Sequence, residues 1–526
     1  MKRIEIFDSM LRDGAQGEGV AFSVIDKLNI VRALDAFGVD YIEAGNPGSN
    51  PKDIEFFEQA QQLKLKHAKL CAFGSTCRKG RKPEEDANVR SLMDAKTDVV
   101  VIFGKSWDLH VLKVLNTTLK ENLRMVKDTI TFFKTAGKEV IFDAEHFFDG
   151  YQANPEFAMQ VLKAADEASA DALVLCDTNG GTTPGRTGEI VREVLKAFPD
   201  RRIGIHCHND IGCAVASSMS AVEAGAVQVQ GTFIGIGERC GNADLSTMIP
   251  NLRLKMGYEC AGDLVMLRDT AAKISELCNM RLKRNEPYVG DSAFAHKGGM
   301  HIDGVSKVSR SFEHVAPEAV GNARRFLMSE VSGRTTVLAK IAAIAPQLKK
   351  DSPEVTRIVE KTKELEHEGY QFESADASFE LMALKILGCF GQHFKLGMYR
   401  TSGEFSHPDE SKSASAMLSV QVGNVQETTA AMGNGPVHAL DLALRKALSV
   451  FYPKLSSVRL VDYKVRVLTG KAATASRVRV LIESSDGEMD WTTIGVNTDI
   501  IAASWEALTD SIEYYLHQKE GKAKCP

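Results

Sequence analysis

Apolar and polar residues follow two different rhythms in the first half of the chain. Short apolar runs rich in valine and isoleucine alternate with longer stretches in which apolar residues recur every three or four positions. The first rhythm predicts buried strands, and the second predicts amphipathic helices such as Val24–Phe37 and Phe157–Ala168. The predicted strands are Ile4–Phe7, Val39–Ala44, Lys69–Gly74, Val99–Gly104, Glu139–Asp143, Ala172–Cys176, Ile203–His208 and Val227–Phe233.

Eight strands that alternate with helices over about 250 residues predict an α/β fold with an N-terminal (β/α)8 TIM barrel. An open doubly wound sheet is the alternative, but no Gly-x-Gly-x-x-Gly turn follows the first strand. In such a barrel the active site is built at the C-terminal ends of the strands. Residues at those ends are therefore the candidates for function.

The second half of the chain has a different pattern. Helical segments with polar linkers predict helical linker subdomains, which we expect to act as a lid over the active site. A repeated α+β domain follows, because Met417–Gln426 and Arg477–Ser484 each predict a strand that precedes a second short strand and an amphipathic helix. The predicted domains are the barrel at 1–262, the linker subdomains at 263–369 and a C-terminal domain with a ββα-type repeat at 370–526.

Composition narrows the class of protein. The chain has 526 residues, of which 44% are hydrophobic and 25% charged, as in globular proteins with more than one domain. Its net charge of −5 gives no reason to expect nucleic acid as a partner. It lacks both a signal-peptide core and the roughly 20-residue apolar stretch that crosses a membrane. Ten cysteines without a Cys-x-x-Cys pair suit reduced thiols, so we expect a cytoplasmic protein without a membrane partner.

The candidate chemistry centres on His206 and His208 at the end of the seventh predicted strand. Residues two apart on a strand share a face, so both imidazoles can reach one divalent ion while Cys207 points away. Two hydrogen-bonded histidines on a strand explain this spacing equally well. Asp13 follows the first strand, and one carboxylate with two histidines leaves open positions on an ion, as in catalytic sites. Asp13, His206 and His208 are therefore predicted to hold a metal.

Other strand ends carry polar residues too. Arg12, next to Asp13, can place a fixed positive charge where an oxyanion develops, and its guanidinium can grip a carboxylate at two points. Solvated loop residues are the alternative for any one member of this set. The remaining members are Asp8, Gln16, Glu43, Asn46, Lys105, Asp143, Glu145, His146, Asp177, Thr178, Asn179, Asn209, Gly235, Gly237, Glu238, Arg239 and Asn242.

Several motifs resemble those of the metal-dependent Claisen-condensing synthases, a family that includes 2-isopropylmalate, homocitrate and citramalate synthases. Asp-Ser-Met-Leu-Arg-Asp-Gly-Ala-Gln at 8–16 is similar to the family's Asp-Thr-Thr-Leu-Arg-Asp-Gly-x-Gln signature. His-Cys-His-Asn-Asp at 206–210, followed by Gly-Ile-Gly-Glu-Arg-Cys-Gly-Asn at 235–242, resembles the second signature of this family. The likeness covers essentially the whole chain and is closest to the long citramalate synthase subfamily, on segments 102–111, 143–151 and 176–181.

The resemblance implies a transferase that condenses pyruvate with acetyl-CoA, its co-substrate, and water to give citramalate and CoA. It implies that Asn242 lies in or near the shell of a divalent cation held by Asp13, His206 and His208. The cation's identity among Mn²⁺, Mg²⁺ and Zn²⁺ stays open. The 2-oxo acid would be bound at this cation.

The resemblance also implies roles for other residues. Arg12, Thr178 and Gln16 would bind substrate, Arg12 would also stabilise the alkoxide, and Glu145 would belong to the acid–base apparatus. His301, in His-Lys-Gly-Gly-Met-His at 296–301, would help to remove the methyl proton of acetyl-CoA.

Two positions depart from the family pattern. Ser9 and Met10 replace the usual two threonines, where we expect packing alone. Phe312 replaces the usual tyrosine, so a proton-transfer role for that phenol is in doubt, and His314 is a candidate substitute.

The resemblance implies further that the C-terminal domain helps the chain to form a homodimer or a higher homo-oligomer and binds an end-product amino acid, with isoleucine as the expected effector. Gly433, Asn434 and Gly435 precede a proline at a helix start and would offer backbone N–H groups to its carboxylate.

Two rival functions stay open from the sequence alone. A 2-isopropylmalate synthase differs in the size of the 2-oxo acid that it accepts, and a non-enzymatic amino-acid sensor would carry an inactive barrel. A lyase that runs the reverse cleavage fits less well, since those relatives generally lack the C-terminal domain.

Overall fold

The computed structural model describes residues 3–328, 332–403, 414–468 and 476–519. The chain divides into two compact units, of which the first comprises Met1–Phe294 with His314–Arg324 and the second comprises Ala295–Glu313 with Arg325–Pro526. The boundaries predicted at 262 and 370 stay a prediction. Among the described residues, no helix is both long enough and apolar enough to cross a membrane.

The first unit is a closed barrel of parallel strands, which confirms the predicted fold class. Each strand pairs with the next in chain order, and the eighth pairs with the first. A two-residue strand, β9 (Glu259–Cys260), adds to the start of the first strand. The barrel strands are β1 (Arg3–Asp8), β2 (Tyr41–Glu43), β3 (Lys69–Ser75), β4 (Val99–Lys105), β5 (Glu139–Glu145), β6 (Ala172–Asp177), β7 (Ile203–Cys207) and β8 (Gln228–Gly231).

Helices surround the strands and bury their apolar faces against them. The first has the predicted bounds because its start and end are both encoded locally: Ser23 and Asp26 form a capping box, and Gly38 ends the helix at φ 101°. The helices of this unit are α1 (Val24–Phe37), α2 (Pro51–Ala60), α3 (Ala87–Asp94), α4 (Leu119–Thr135), α5 (Phe147–Ala153), α6 (Pro155–Glu167), α7 (Pro184–Ala197), α8 (Ala214–Ala224), α9 (Leu245–Pro250) and α10 (Leu267–Leu277).

The barrel interior changes from apolar to polar along the strands. Phe7, Cys71, Val101 and Ile141 belong to one buried apolar cluster inside the barrel. Side chains two residues apart on a strand share a face. The inward positions nearer the C-terminal ends of β2, β5 and β7 are therefore occupied by Glu43, Asp143 and His206. At the C-terminal end of the barrel strands, a layer of polar side chains thus lies on a layer of apolar ones.

The second unit begins with short elements. Two-residue strands β10 (Ala295–His296) and β11 (Arg325–Phe326) pair in parallel. A helix forms in the glycine-containing stretch that follows β10, and Ile302 and Val305 bury its apolar edge. The helices of this part are α11 (Gly299–Lys307), α12 (Arg334–Ile341), α13 (Pro353–Glu368) and α14 (Asp376–Leu387).

The C-terminal domain repeats a three-stranded antiparallel sheet followed by a helix, so the predicted ββα repeat lacked one strand per copy. The missing strands are edge strands whose residues are mostly exposed, so their apolar and polar positions alternate only weakly. The predicted strand Met417–Gln426 also crosses the turn between two strands. The first copy is β12 (Lys395–Gly403), β13 (Ala414–Val422), β14 (Val425–Gly433) and α15 (Pro436–Ser449). The second is β15 (Arg459–Val467), β16 (Val478–Ser485), β17 (Asp490–Asn497) and α16 (Ile500–Lys519).

The cysteines differ in state. Eight of those described are free thiols, most of them buried. Cys389 is disulfide-bonded, so the expectation of reduced thiols is wrong at that residue.

Candidate functional site

Three ionisable side chains meet at the C-terminal end of the barrel. Asp13 Oδ2 lies 3.3 Å from His206 Nε2 and 3.5 Å from His208 Nε2, and all three side chains are buried. These distances are long for N–H···O hydrogen bonds, which centre near 2.9–3.0 Å. Ligand atoms that each lie about 2.1 Å from one ion are separated by roughly 3.0–3.4 Å in octahedral or tetrahedral geometry. The spacing therefore fits a divalent cation held by all three residues.

A hydrogen-bonded chain fixes the ring of His206. His206 Nδ1 lies 3.0 Å from the amide oxygen of Gln230, and Gln230 Nε2 donates to Asp143 Oδ1 at 3.1 Å. Because the amide oxygen is an acceptor, Nδ1 carries the proton and Nε2 presents its lone pair toward Asp13. The chain runs across the barrel from β5 through β8 to β7, so the fold itself sets the tautomer.

Arg12 organises the acids of the site. Its Nε donates to Glu43 Oε2 at 2.6 Å and its Nη1 to Asp13 Oδ2 at 3.2 Å. The guanidinium also lies 3.9 Å from the centroid of the Phe73 ring, a cation–π contact. Arg12 is thus held from three sides with its charge at the site.

Burial alters the ionisation of these acids. Burial raises the pKa of Glu43 to about 7, although Arg12 opposes the rise. Burial also raises the pKa of Asp143 to about 6. Burial alone would raise the pKa of Asp13 as well, but Arg12 and His206 more than offset it and hold that pKa far below its usual range. Asp13 therefore stays ionised, as a metal ligand must.

Buried oxygen atoms without partners also fit a cation. Asp13 Oδ1 and Asn242 Oδ1 have no hydrogen-bond partner among the described residues. Asn242 pairs with His208 in an isolated antiparallel bridge, which brings it to the cluster. Its loop is tight: an added Cβ at Gly237 would lie 2.1 Å from Asn242 Nδ2, and one at Gly241, with φ 86°, 2.0 Å from Gly235 O. Glycine is required at both positions to hold Asn242 in place.

Glu145 and Thr178 lie at neighbouring strand ends. Glu145 forms an ion pair with Lys105, its partner in the β4–β5 register. The Thr178 hydroxyl accepts the backbone N–H of His146 at 2.9 Å, so its own proton is free to be donated. His146 has φ 56°, a conformation that non-glycine residues rarely adopt outside constrained sites.

Gln16 is exposed and lines a cleft of about 610 Å³ together with Arg12 and Phe73. Ser9 and Met10 have local roles, since the Ser9 hydroxyl donates to Gly231 O and Met10 is fully buried in the core. Met10 packs as expected, whereas the expectation of packing alone is wrong at Ser9, whose hydroxyl forms a hydrogen bond.

His301 and Phe312 belong to the second unit, where their rings stack with centroids 4.3 Å apart. Both side chains are exposed. His314 belongs to the first unit, where its ring packs against Tyr288 at 5.2 Å and Phe294 at 6.2 Å. That packing suggests a structural part for His314 and leaves its role as a substitute acid a prediction.

The predicted effector turn joins β14 to α15. Gly433 is buried, and an added Cβ there would lie 2.5 Å from Ala439 N. The Asn434 N–H donates to His438 Nδ1 at 3.2 Å, so the expectation that it is free for a carboxylate is wrong. His438 lies in the first turn of α15, and its side chain accepts the hydrogen bond from the Asn434 N–H. Gly435 has open space around its Cα.

Gln230 is the site residue that strand-end reasoning missed, because it lies inside β8 and not after it. Glu43 and Asp143 were noted at strand ends without a role. A signal was present in the sequence: Gln228 and Gln230 alternate with valines, and the structure buries all four residues of this strand.

Comparisons with known proteins agree with this geometry. The family described as HMGL-like matches residues 3–281, the homocitrate synthase post-HMGL domain-like family matches 288–370, and the LeuA allosteric (dimerisation) domain matches 373–516. An (R)-citramalate synthase of Aquifex aeolicus is 50% identical over 521 residues, which cover 99% of both chains. One of Geobacter sulfurreducens is 50% identical over 522 residues, again 99% of both. The chain belongs to the (R)-citramalate synthase family.

Members of this family are closer to the chain than the isopropylmalate synthases. A probable 2-isopropylmalate synthase of Methanopyrus kandleri is 31% identical over 526 residues, 97% of this chain and 98% of the relative. The family resemblance drawn from the motifs is confirmed.

Replacing Gln230 by leucine removes the acceptor of His206 Nδ1 without adding charge. We expect Gln230→Leu to weaken binding of Mn²⁺ or Zn²⁺ by roughly 10–100-fold, the usual effect of losing such a partner. Competition with a chromogenic chelator, on protein stripped of metal, measures this directly. Gln228→Leu is the matched control, because that amide donates to Glu5 and does not contact His206. Equal metal affinity in Gln230→Leu and wild type would contradict the assignment.

Proposed function

We propose that this chain is an (R)-citramalate synthase, which condenses acetyl-CoA with pyruvate and water to give (R)-citramalate and CoA. The observation that carries the proposal is the 44–50% identity, over nearly the whole chain, to five proteins of that name. Three probable 2-isopropylmalate synthases are only 30–31% identical over similar lengths. The complete set of polar residues at the barrel mouth argues against an inactive barrel in an amino-acid sensor.

The proposed metal centre consists of Asp13, His206 and His208, with Asn242 as a fourth donor through its unpartnered oxygen. A divalent cation bound there would polarise the keto oxygen of the 2-oxo acid as a Lewis acid. Carboxylate, amide and imidazole donors suit Mn²⁺, Mg²⁺ and Zn²⁺ to different degrees, and cellular supply decides between them as much as affinity does.

Arg12 supplies the fixed charge of the proposed reaction. When the methyl carbon of acetyl-CoA attacks the keto carbon, the keto oxygen becomes an alkoxide, and a guanidinium held by Glu43 needs no rearrangement to stabilise it. The free proton of the Thr178 hydroxyl can be donated to the carboxylate of pyruvate. Gln16 lines the cleft beside Arg12 and is the third proposed substrate contact.

Glu145 and His301 are the proposed acid–base residues. Glu145 forms an ion pair with Lys105 at the ends of β5 and β4, which holds its carboxylate in place. His301 would remove the methyl proton, and its stacking on Phe312 would orient the ring. Water then hydrolyses the thioester to release CoA, and we propose that the linker subdomains act as the lid that keeps water away until that step.

The C-terminal domain matches the LeuA allosteric (dimerisation) domain. We propose that it joins two copies of the chain and that isoleucine is its effector, the carboxylate lying at Gly435. The cytoplasmic location expected from the sequence stays a prediction.

A panel of 2-oxo acids tests the proposed function. Release of CoA, followed with a thiol reagent, should be fastest with pyruvate, because a pocket fitted to a methyl group rejects an isopropyl group by about 1–3 kcal/mol of overpacking. We therefore expect kcat/KM for pyruvate to exceed that for 2-oxoisovalerate by roughly 5–150-fold. Chiral chromatography of the product should give the R enantiomer. Preference for 2-oxoisovalerate would establish a 2-isopropylmalate synthase instead, and release with neither acid would favour a sensor.

Replacement of His301 tests the proposed base. His301→Asn should lower kcat by roughly 10²–10⁴-fold, the usual loss for a general acid or base. Metal affinity should not change, since His301 is not among the proposed ligands. His367→Asn is a matched control, because it changes another histidine of the same unit near the end of α13. Exchange of the acetyl-CoA methyl protons at the wild-type rate in His301→Asn would exclude this role.

A charge placed at Gly435 tests the proposed effector site. Gly435→Asp should reduce inhibition by isoleucine at least about tenfold, because like charges oppose each other near a helix start. Activity without isoleucine should stay the same. Gly435→Ala is the control, since an added Cβ there meets no atom within 4 Å. Full inhibition of the aspartate variant would place the effector elsewhere, and no inhibition of the wild type would remove isoleucine as effector.

A further inference from the structure

One histidine turns the chain directly from β5 into α5. His146 follows Glu145, the last residue of β5, and α5 begins at the next residue. The φ of His146, 56°, lies in the left-handed region, which glycine adopts more easily because it has no Cβ to crowd the backbone. Residues other than glycine keep this conformation where their surroundings hold them, and such positions concentrate at functional sites.

The side chain of His146 contacts residues beyond the ends of two other strands. Its Nδ1 lies 3.3 Å from Asp149 Oδ2, and the same oxygen accepts from Asn179 Nδ2, beyond the end of β6, at 3.1 Å. An ionised carboxylate only accepts, so Nδ1 carries the proton. The ring of His146 also packs against that of His110, beyond the end of β4, with centroids 4.2 Å apart. The ends of β4, β5 and β6 are thus joined through one imidazole.

His110 is itself held in place. It begins a π-helical turn, His110–Val114, and its ring stacks on that of Trp107 with centroids 5.2 Å apart. Such turns are rare and are frequently found at functional sites. Burial lowers the pKa of His110, and the nearby His146 and Lys105 lower it further. A neutral ring therefore packs against His146, and no like charge opposes the contact.

The backbone of the same turn holds two residues of the proposed reaction. The His146 N–H donates to Thr178 Oγ1 at 2.9 Å, and the Thr178 carbonyl accepts from Arg239 Nη2 at 2.7 Å, so this threonine is fixed on two sides. The Glu145 carbonyl accepts from the Ser106 N–H at 3.0 Å. A shift of the turn would therefore move the Glu145 carboxylate and the Thr178 hydroxyl together.

We propose that His146 is a positioning residue for the condensation. Through Asp149 and His110 it holds the turn that aims the Glu145 carboxylate and the Thr178 hydroxyl. Its imidazole acts on the reaction through these two neighbours, and no contact with substrate is assigned to it. The effect on turnover rests on the proposed function, whereas the contact that joins the three strand ends does not.

Substitutions at both ends of the His146–Asp149 contact test the proposal. His146→Gly removes the ring and also relieves the left-handed turn, so a histidine without a positioning role could be replaced without loss. We instead expect kcat to fall and the KM for the 2-oxo acid to rise, with kcat/KM roughly 10–100-fold lower, because small displacements of reacting groups slow a reaction strongly. Asp149→Asn should act in the same direction, and the double variant should be no worse than the poorer single one. The KM for acetyl-CoA should stay the same.

Ser169→Gly is the matched control for the relief of a left-handed turn. Ser169 has φ 65° and is exposed in the loop before β6, at the other end of that strand from Thr178. This variant should keep wild-type kinetics. Competition with a chromogenic chelator should give wild-type metal affinity for every variant, which shows that the barrel is folded. Wild-type kinetics in His146→Gly, or additive losses in the double variant, would overturn the proposal.

Hydrogen exchange separates a failure of this inference from a failure of the proposed function. The His146 N–H is protected by its bond to Thr178, and its exchange should become at least about tenfold faster in Asp149→Asn. Mass spectrometry of peptides that span residues 143–151 measures this without turnover. Unchanged exchange would overturn the inference, whatever the activity. Faster exchange in the variant of a chain that condenses no 2-oxo acid would support the contact and contradict only the proposed function.

Discussion

Burial of negative charge at the top of the barrel is the constraint on which the site depends. Asp13, Glu43 and Asp143 are 2%, 0% and 4% exposed. An ionised carboxylate away from water is costly unless a cation faces it, and Arg12 contacts two of the three. A divalent ion at Asp13 would compensate further. Arg12 and Asp13, two of the residues proposed to take part in the reaction, are therefore also residues whose charges the folded barrel must balance, so stability and function are tied at one place.

The barrel could be predicted because its strands are buried on both faces. Parallel strands under helices appear as nearly continuous apolar runs, and all eight were found with errors of one or two residues at their ends. The C-terminal sheets follow another rule. Residues of β12 and β15 are mostly exposed, so neither strand has the apolar run or clean alternation that marks a strand in a sequence. Their pairing with β13 and β16 is decided by tertiary contacts.

The site was predictable where its chemistry is local. The spacing of His206 and His208 follows from the strand's two-residue repeat, and Asp13 lies beside Arg12 in the chain. Gln230 is different, because its hydrogen bond to Asp143 joins β8 to β5, two strands that meet only across the closed barrel. The Asn434 N–H has a local partner that residue type alone did not indicate, because the side chain of His438, four residues later, accepts from it. Residue type and spacing identify ligands better than they identify the groups that hold ligands in place.

The inward alternation of the barrel strands restricts how this protein can change in evolution. Asp143 and Glu145 occupy alternate positions of β5, and His206 occupies an inward position of β7. One residue inserted or deleted within either strand would turn every later side chain to the opposite face. Chain-length variation should therefore collect in the loops and helices of the barrel, while its strands keep a constant length. The ligands of the proposed metal centre could therefore change during evolution only by substitution of single residues at fixed strand positions, and not by insertion or deletion.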